Sequence, residues 1–198
     1  MQTQRKCPSD LGFVVDGSRS VEVLGKGNFK KMLAFVKNVS LGFHISPEDT
    51  RVGVISYGTE PKLAIPFNKY ITPIGLALAI ENISYPGTIT MTGKALELAN
   101  QKLFDKGSRI NVPKVLVVLS EGTSRDSVQK SAQDLRKAGV TIISVGFGPV
   151  YNDAELDNIA SIPASYYVIK AKFNELQYKV NEVQDKICGA KNSHNKLI

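Results

Sequence analysis

Asp16-Gly17-Ser18-Arg19-Ser20 follows directly on the apolar run 11–15. A carboxylate and two hydroxyls at alternate positions, just past a buried strand, can converge on one hard cation. That donor set suits Mg²⁺ or Mn²⁺, with water filling the remaining positions. Taken alone, the same five residues also describe a polar turn leaving a strand. What separates the two readings is whether further oxygen donors arrive from elsewhere. Two segments carry them: Pro86-Gly87-Thr88-Ile89-Thr90-Met91-Thr92-Gly93 and Ser120-Glu121-Gly122.

Catalytic chemistry fits less well. His44 falls in an early loop and His194 in the tail, so neither is placed to serve as a base at the end of the first strand. An aspartyl-phosphate mechanism of the haloacid dehalogenase type, the enzymatic alternative, needs a second acid two residues after the nucleophile, where this chain has Ser18. Gly25-Lys26-Gly27 lies too far past the strand for a dinucleotide loop and lacks the third glycine, and nothing matches a phosphate-binding Walker loop. The expectation is a binding module and not an enzyme.

The elements that must position these residues alternate along the chain. Runs 11–15, 52–57, 115–119 and 141–145 are short, rich in Val and Ile and apolar on both faces, as strands inside a parallel sheet should be. Helical spacing links Phe29, Met32, Leu33, Phe35, Val36 and Val39. Thr72-Pro73 reads as an N-cap and first helical residue, with Ile74, Ala77, Leu78 and Ile80 as the apolar side. Further helices carry Ala95, Leu96, Leu98, Ala99 and Leu103; Val128, Ala132, Leu135 and Ala138; and Leu176, Val180, Val183 and Ile187. Asn152 and Glu155 suggest a capping box. Gly58-Thr59-Glu60-Pro61 turns the second strand into a hairpin with 62–67.

The predicted fold is therefore α/β, a doubly wound, Rossmann-like sheet, mostly parallel with one antiparallel edge strand and helices on both faces. Ligands bind such sheets beyond the carboxyl ends of the strands, which is where Asp16, the 86–93 loop and Glu121 should meet.

At 198 residues with 42% apolar content, the chain can bury one substantial core. We expect one domain over 9–188, with 1–8 and 189–198 as short flanks. No run is long and apolar enough to span a membrane, and 1–6 has no apolar signal core, so a soluble segment cut from a longer chain is expected. The formal charge of +7 favours acidic partners such as sulfated glycans. The basic residues are scattered, without the aromatic-interleaved stripe of a nucleic-acid module.

Cys7 and Cys188 bracket the predicted elements. Two reduced thiols would fall more naturally inside strands or helices, so a disulfide joining the ends is the preferred pairing, and with it an oxidising compartment. Asn38-Val39-Ser40 and Asn82-Ile83-Ser84 are glycosylation sequons compatible with secretion.

Taken together, the DxSxS loop, Thr90-Met91-Thr92-Gly93-Lys94-Ala95-Leu96, the strand ending in Ser120-Glu121-Gly122 and the 139–148 segment resemble a von Willebrand factor type A domain over about 9–188. The likeness is to the extracellular-matrix type, as in matrilins, collagen VI and von Willebrand factor, where a disulfide commonly closes the domain. It implies a metal-ion-dependent adhesion site in which Asp16, Ser18, Ser20 and Thr90, with Glu121 as the last acid, hold Mg²⁺ or Mn²⁺. Thr88 is the neighbouring hydroxyl, and Arg19 should point outward. It further implies a secreted matrix protein whose partner, collagen or another matrix protein, offers a carboxylate to the metal. A metal-independent assembly or glycan-binding role on another face is the alternative. The family's last acid is usually Asp. Glu is one methylene longer, so its carboxylate either binds the metal directly, weakening the pull on a partner's carboxylate, or crowds the site.

Overall fold

Runs apolar on both faces can be satisfied only between two helical layers, and the computed structural model, which describes residues 4–121, 123–149 and 151–190, stacks them in this way. The strands are β1 (Ser9–Asp16), β2 (Thr50–Tyr57), β3 (Lys62–Ile65), β4 (Lys114–Ser120), β5 (Val140–Phe147) and β6 (Val168–Ala171), in the order β3-β2-β1-β4-β5-β6. Every pairing is parallel except β2 with β3. β1 and β2 are buried along their whole lengths.

The pleat sends alternate residues to opposite faces. Leu11, Phe13 and Val15 join a core with α2 (Asn28–Leu41) and α8 (Val180–Gly189), while Val14 meets α4 (Thr92–Leu98) and α5 (Gln129–Lys137). α1 (Arg19–Val23), α3 (Pro73–Glu81), α6 (Asp153–Ile159) and α7 (Ala164–Tyr167) complete the helices used below. Beyond α4 the chain continues as a π-helical segment, Ala99–Asp105, whose Leu103 and Phe104 come so close to Gly12 that a Cβ there would crowd both.

Three expectations need correction. β6 was not anticipated, because it is four residues long and its Lys170 faces solvent, so no apolar run marks it. Thr72 caps α3 as expected, its hydroxyl accepting from the Gly75 N–H at 3.2 Å. The buried side of α3 is, however, Leu76 and Ile80, whereas Ile74 and Leu78 are 76% and 56% exposed. α3 is apolar all round, so periodicity alone could not choose its inner face. Asn152 caps α6 through the Glu155 N–H at 3.2 Å, but the Glu155 carboxylate turns to the Ser124 N–H instead of completing the box.

At the amino ends of the strands Asp10, fully buried, accepts two bonds from the Arg51 guanidinium at 2.7 Å each, and Arg109 ties the same carboxylate to the surrounding loops. The Cys7–Cys188 disulfide is formed at this end, with Cα atoms 5.5 Å apart. Ahead of it, Arg5 bridges to Phe43 and pairs with Asp185 at 2.5 Å. His44 sits at this end too, 3.2 Å from Asp49. His194 and the tail from 191, like Gly122, lie outside the described residues.

Candidate metal centre

β1, β2 and β4 end level with one another, Asp16 opposite Tyr57 and Val15 opposite Leu119. The chain leaves β1 through Gly17, where a Cβ would run into the Pro86 ring. That absence lets the 86–93 loop dock: Gly87 N–H donates to Gly17 O at 2.9 Å and Arg19 N–H to Thr88 O at 2.8 Å. Docking fixes the DxSxS loop against a second segment.

Within the loop, Ser18 N–H donates to Asp16 Oδ1 at 2.8 Å, and the hydroxyls of Ser18 and Ser20 lie 2.9 Å apart. Ser20 donates to Glu121 Oε1, which also accepts from Thr123 Oγ1 at 3.1 Å. Asp16, Ser18, Ser20 and Glu121 thus form one linked group of oxygens, while Arg19 is exposed as expected. Asp16 is fully buried, and its second oxygen, Oδ2, has no hydrogen-bond partner among the described residues. Burial pushes its carboxyl up to about 7, with a further contribution from the Glu121 charge.

The two threonines divide by use. Thr88 Oγ1 accepts from the Thr59 N–H at 2.8 Å, which commits it to the β2–β3 turn. Thr90 is buried, its carbonyl accepting from Arg125 N–H at 3.0 Å.

Ser124, Asp126 and Glu155 belong to the same crest and were not singled out for it from the sequence. α4 has no cap of its own; Asp126 supplies one from the next loop, accepting from the Gly93 and Lys94 N–H groups at 2.8 Å each. Ser124 accepts from Thr92 N–H at 2.9 Å and donates to Asp126 at 2.6 Å. Glu155, its carboxyl raised chiefly by burial, holds Ser124 from β5's side. Ser-x-Asp ahead of α5 is a capping signal in the sequence, but the helix it caps lies about 30 residues earlier in the chain.

No group of three or more His, Cys, Asp or Glu side chains that could by themselves hold a metal ion occurs among the described residues. The crest instead offers two carboxylates and hydroxyls, donors for a hard cation. Asp16 Oδ2, buried and without a partner beside Ser18, is the atom such an ion would satisfy, so the residues fit the group.

A doubly wound sheet carrying an oxygen-rich loop at its carboxyl edge defines a Rossmann-like binding module. The chain belongs to the von Willebrand factor type A domain family, whose sequence profile matches residues 10–183. It is 39% identical over 185 residues to the collagen alpha-1(XXI) chain of Homo sapiens, covering 93% of this chain and 19% of that one. Against Homo sapiens vitrin the figures are 36% over 188 residues, 93% and 27%. Against the collagen alpha-4(VI) chain of Mus musculus they are 35% over 194 residues, 96% and 8%. This chain therefore spans under a third of each relative.

Among solved structures, proximal thread matrix protein 1 from the mussel byssus superposes with a TM-score of 0.85 at 26% identity, over 92% of this chain and 47% of that one. A second structure of that protein, with a TM-score of 0.84 and 26% identity over 92% and 46% of the two chains, has a zinc-occupied adhesion-site motif. With these matrix relatives and a closed disulfide, the protein is a secreted, extracellular-matrix type of domain. No helix among the described residues is long and apolar enough to cross a membrane.

Proposed function

We propose that the module, taken as residues 9–188 with short flanks on either side, binds a matrix protein through a divalent cation held by Asp16, Ser18, Ser20, Thr90 and Glu121. The observation that carries this reading is the buried Asp16 Oδ2, without a partner among the described residues, in a loop whose Ser18 and Ser20 hydroxyls link on to the Glu121 carboxylate. The bound cation, Mg²⁺ or Mn²⁺, supplies positive charge to a carboxylate offered by the partner, for which collagen is the first candidate. The zinc-occupied motif of the mussel protein supports divalent binding at this place in the fold.

The chain's own residues do the rest. Gly17 and the 86–93 loop hold the donors in register, and the oxygens of Glu121 lie close enough to those of Ser20 to share one ion. Direct participation of Glu121 strengthens the hold on the cation and lowers the net charge that a partner meets. Catalysis finds no support: the position of a second acid is Ser18, and His44 is at the opposite end of the sheet.

A thermal melt of chelator-stripped protein titrated with Mg²⁺, Mn²⁺ and Zn²⁺, with Ser18→Ala beside it, tests the reading. A ligand selective for the folded state stabilises by about 2.7 kcal/mol at a hundredfold excess over its Kd. A saturable rise that Ser18→Ala loses is expected. No rise with any cation refutes the metal site and returns attention to sulfated glycans, whose binding would fall with salt and ignore chelator.

A further inference from the structure

The two sequons meet different fates in the fold. Asn38 lies within α2, and the Ser40 hydroxyl that its sequon needs is fully buried, donating to Val36 O at 2.7 Å. Asn82 stands at the end of α3, where the helix stops and the chain runs on without regular structure; both Asn82 and Ser84 are exposed.

Beside Asn82 runs a groove of about 850 Å³ between α3 and the β3 edge. Leu63, Leu78 and Ile83 give it apolar walls, and Tyr70 and Tyr85 add aromatic rings with polar tips. Such rings suit the apolar faces of sugars; the Tyr70 hydroxyl is the one that serves the sugar oxygens, since Tyr85 donates its own to Ser18 O at 2.9 Å and is thereby held in place. The surroundings also need cover. Ile71, Ile74 and Leu78 are 52%, 76% and 56% exposed around α3, and β3 is an unpaired sheet edge, open to pairing with another chain.

We infer that Asn82 carries an N-linked glycan whose first sugars lie in this groove and shield the α3–β3 flank. The inference rests on secretion and not on the metal reading. The donor is an oligosaccharide on a polyprenyl diphosphate. Asn82 Nδ2 bonds to C1 of the first sugar, the C1–O bond to the diphosphate breaks, the lipid diphosphate leaves with the electron pair, and Nδ2 gives up one of its two protons. The proton that remains still serves the bond Asn82 Nδ2 makes to Leu78 O at 2.8 Å, so modification leaves the end of α3 intact.

The test is to secrete the whole chain from eukaryotic cells, release glycans with a peptide amidase that leaves Asp at the attachment residue, and map the peptides. Conversion at 82 and not at 38 is expected, and Ser84→Ala, which keeps the Asn82 cap, should abolish it. An unmodified Asn82, or a glycan only at Asn38, overturns the site. Enzymatic removal of the glycan from folded protein should raise the fluorescence of an apolar-surface dye several-fold. Unchanged fluorescence overturns the shielding.

Discussion

Asp16 holds two opposed demands at one carboxyl. Burial favours its protonated form, and the metal binding proposed for it requires its charged form. With its carboxyl raised from 3.8 to about 7, its contribution to the stability of metal-free protein is fully present below the unfolded value and is lost as pH rises through the folded one. The span corresponds to about 4 kcal/mol. Asp16→Asn should flatten that slope in urea titrations run with chelator between pH 4 and 8, and an unaltered slope would assign it elsewhere. Metal affinity runs the other way, weakening on acidification through the same window. At Glu121 the extra methylene brings the carboxylate onto Ser20. Glu121→Asp should weaken Mg²⁺ binding by about tenfold, or 1.4 kcal/mol, and strengthen chelator-sensitive capture on immobilised collagen; equal values for both proteins would show that the longer side chain takes no part. The DxSxS loop was legible because its types and spacing are local, and Glu121, about 100 residues on, because it directly follows β4, the strand beside β1; Asp126 and Glu155 were not, because they act on segments about 30 residues away and neither directly follows a strand.

Helix α4 begins without a side chain of its own to receive its first N–H groups. Asp126 takes two of them, so Asp126→Ala removes a double cap and should cost about 2 kcal/mol in urea denaturation, and it should loosen Thr90, two residues ahead of the helix. Loss of stability without any change in metal affinity would uncouple cap from site. The order of the main strands and longer helices was readable because each buried strand is a compact apolar run and each of those helices repeats at its own period, whereas α1 and α7, at five and four residues, carry no stripe and were not expected. α3 shows where that logic stops: Ile74 and Leu78 share the helical spacing of Leu76 and Ile80, and only the position of the sheet decides between them. β6 fails for the complementary reason, being too short to carry a pattern.

At the scale of the whole molecule, the covalent bond between Cys7 and Cys188 closes a loop with a sequence separation of 181 residues. Chain entropy assigns such a closure roughly 5 kcal/mol. Replacing both cysteines by serine should therefore lower the denaturation midpoint sharply, and an unmoved midpoint would mean that the unfolded chain is restrained by other means. The bond was legible from the ends of the chain, as its formation bears out, but the placing was not: Cys7 does lie ahead of β1, whereas Cys188 falls inside the last turn of α8, because that helix runs on to Gly189, past the end of its apolar stripe at Ile187. The same bond settles how the domain meets mechanical force. It lies at the end of the sheet opposite Asp16, and polypeptide on either side of the two cysteines is joined through it. Tension applied to the chain on either side of the two cysteines would pass across one S–S link and bypass the sheet and helices between, leaving the Asp16 end of the module unloaded.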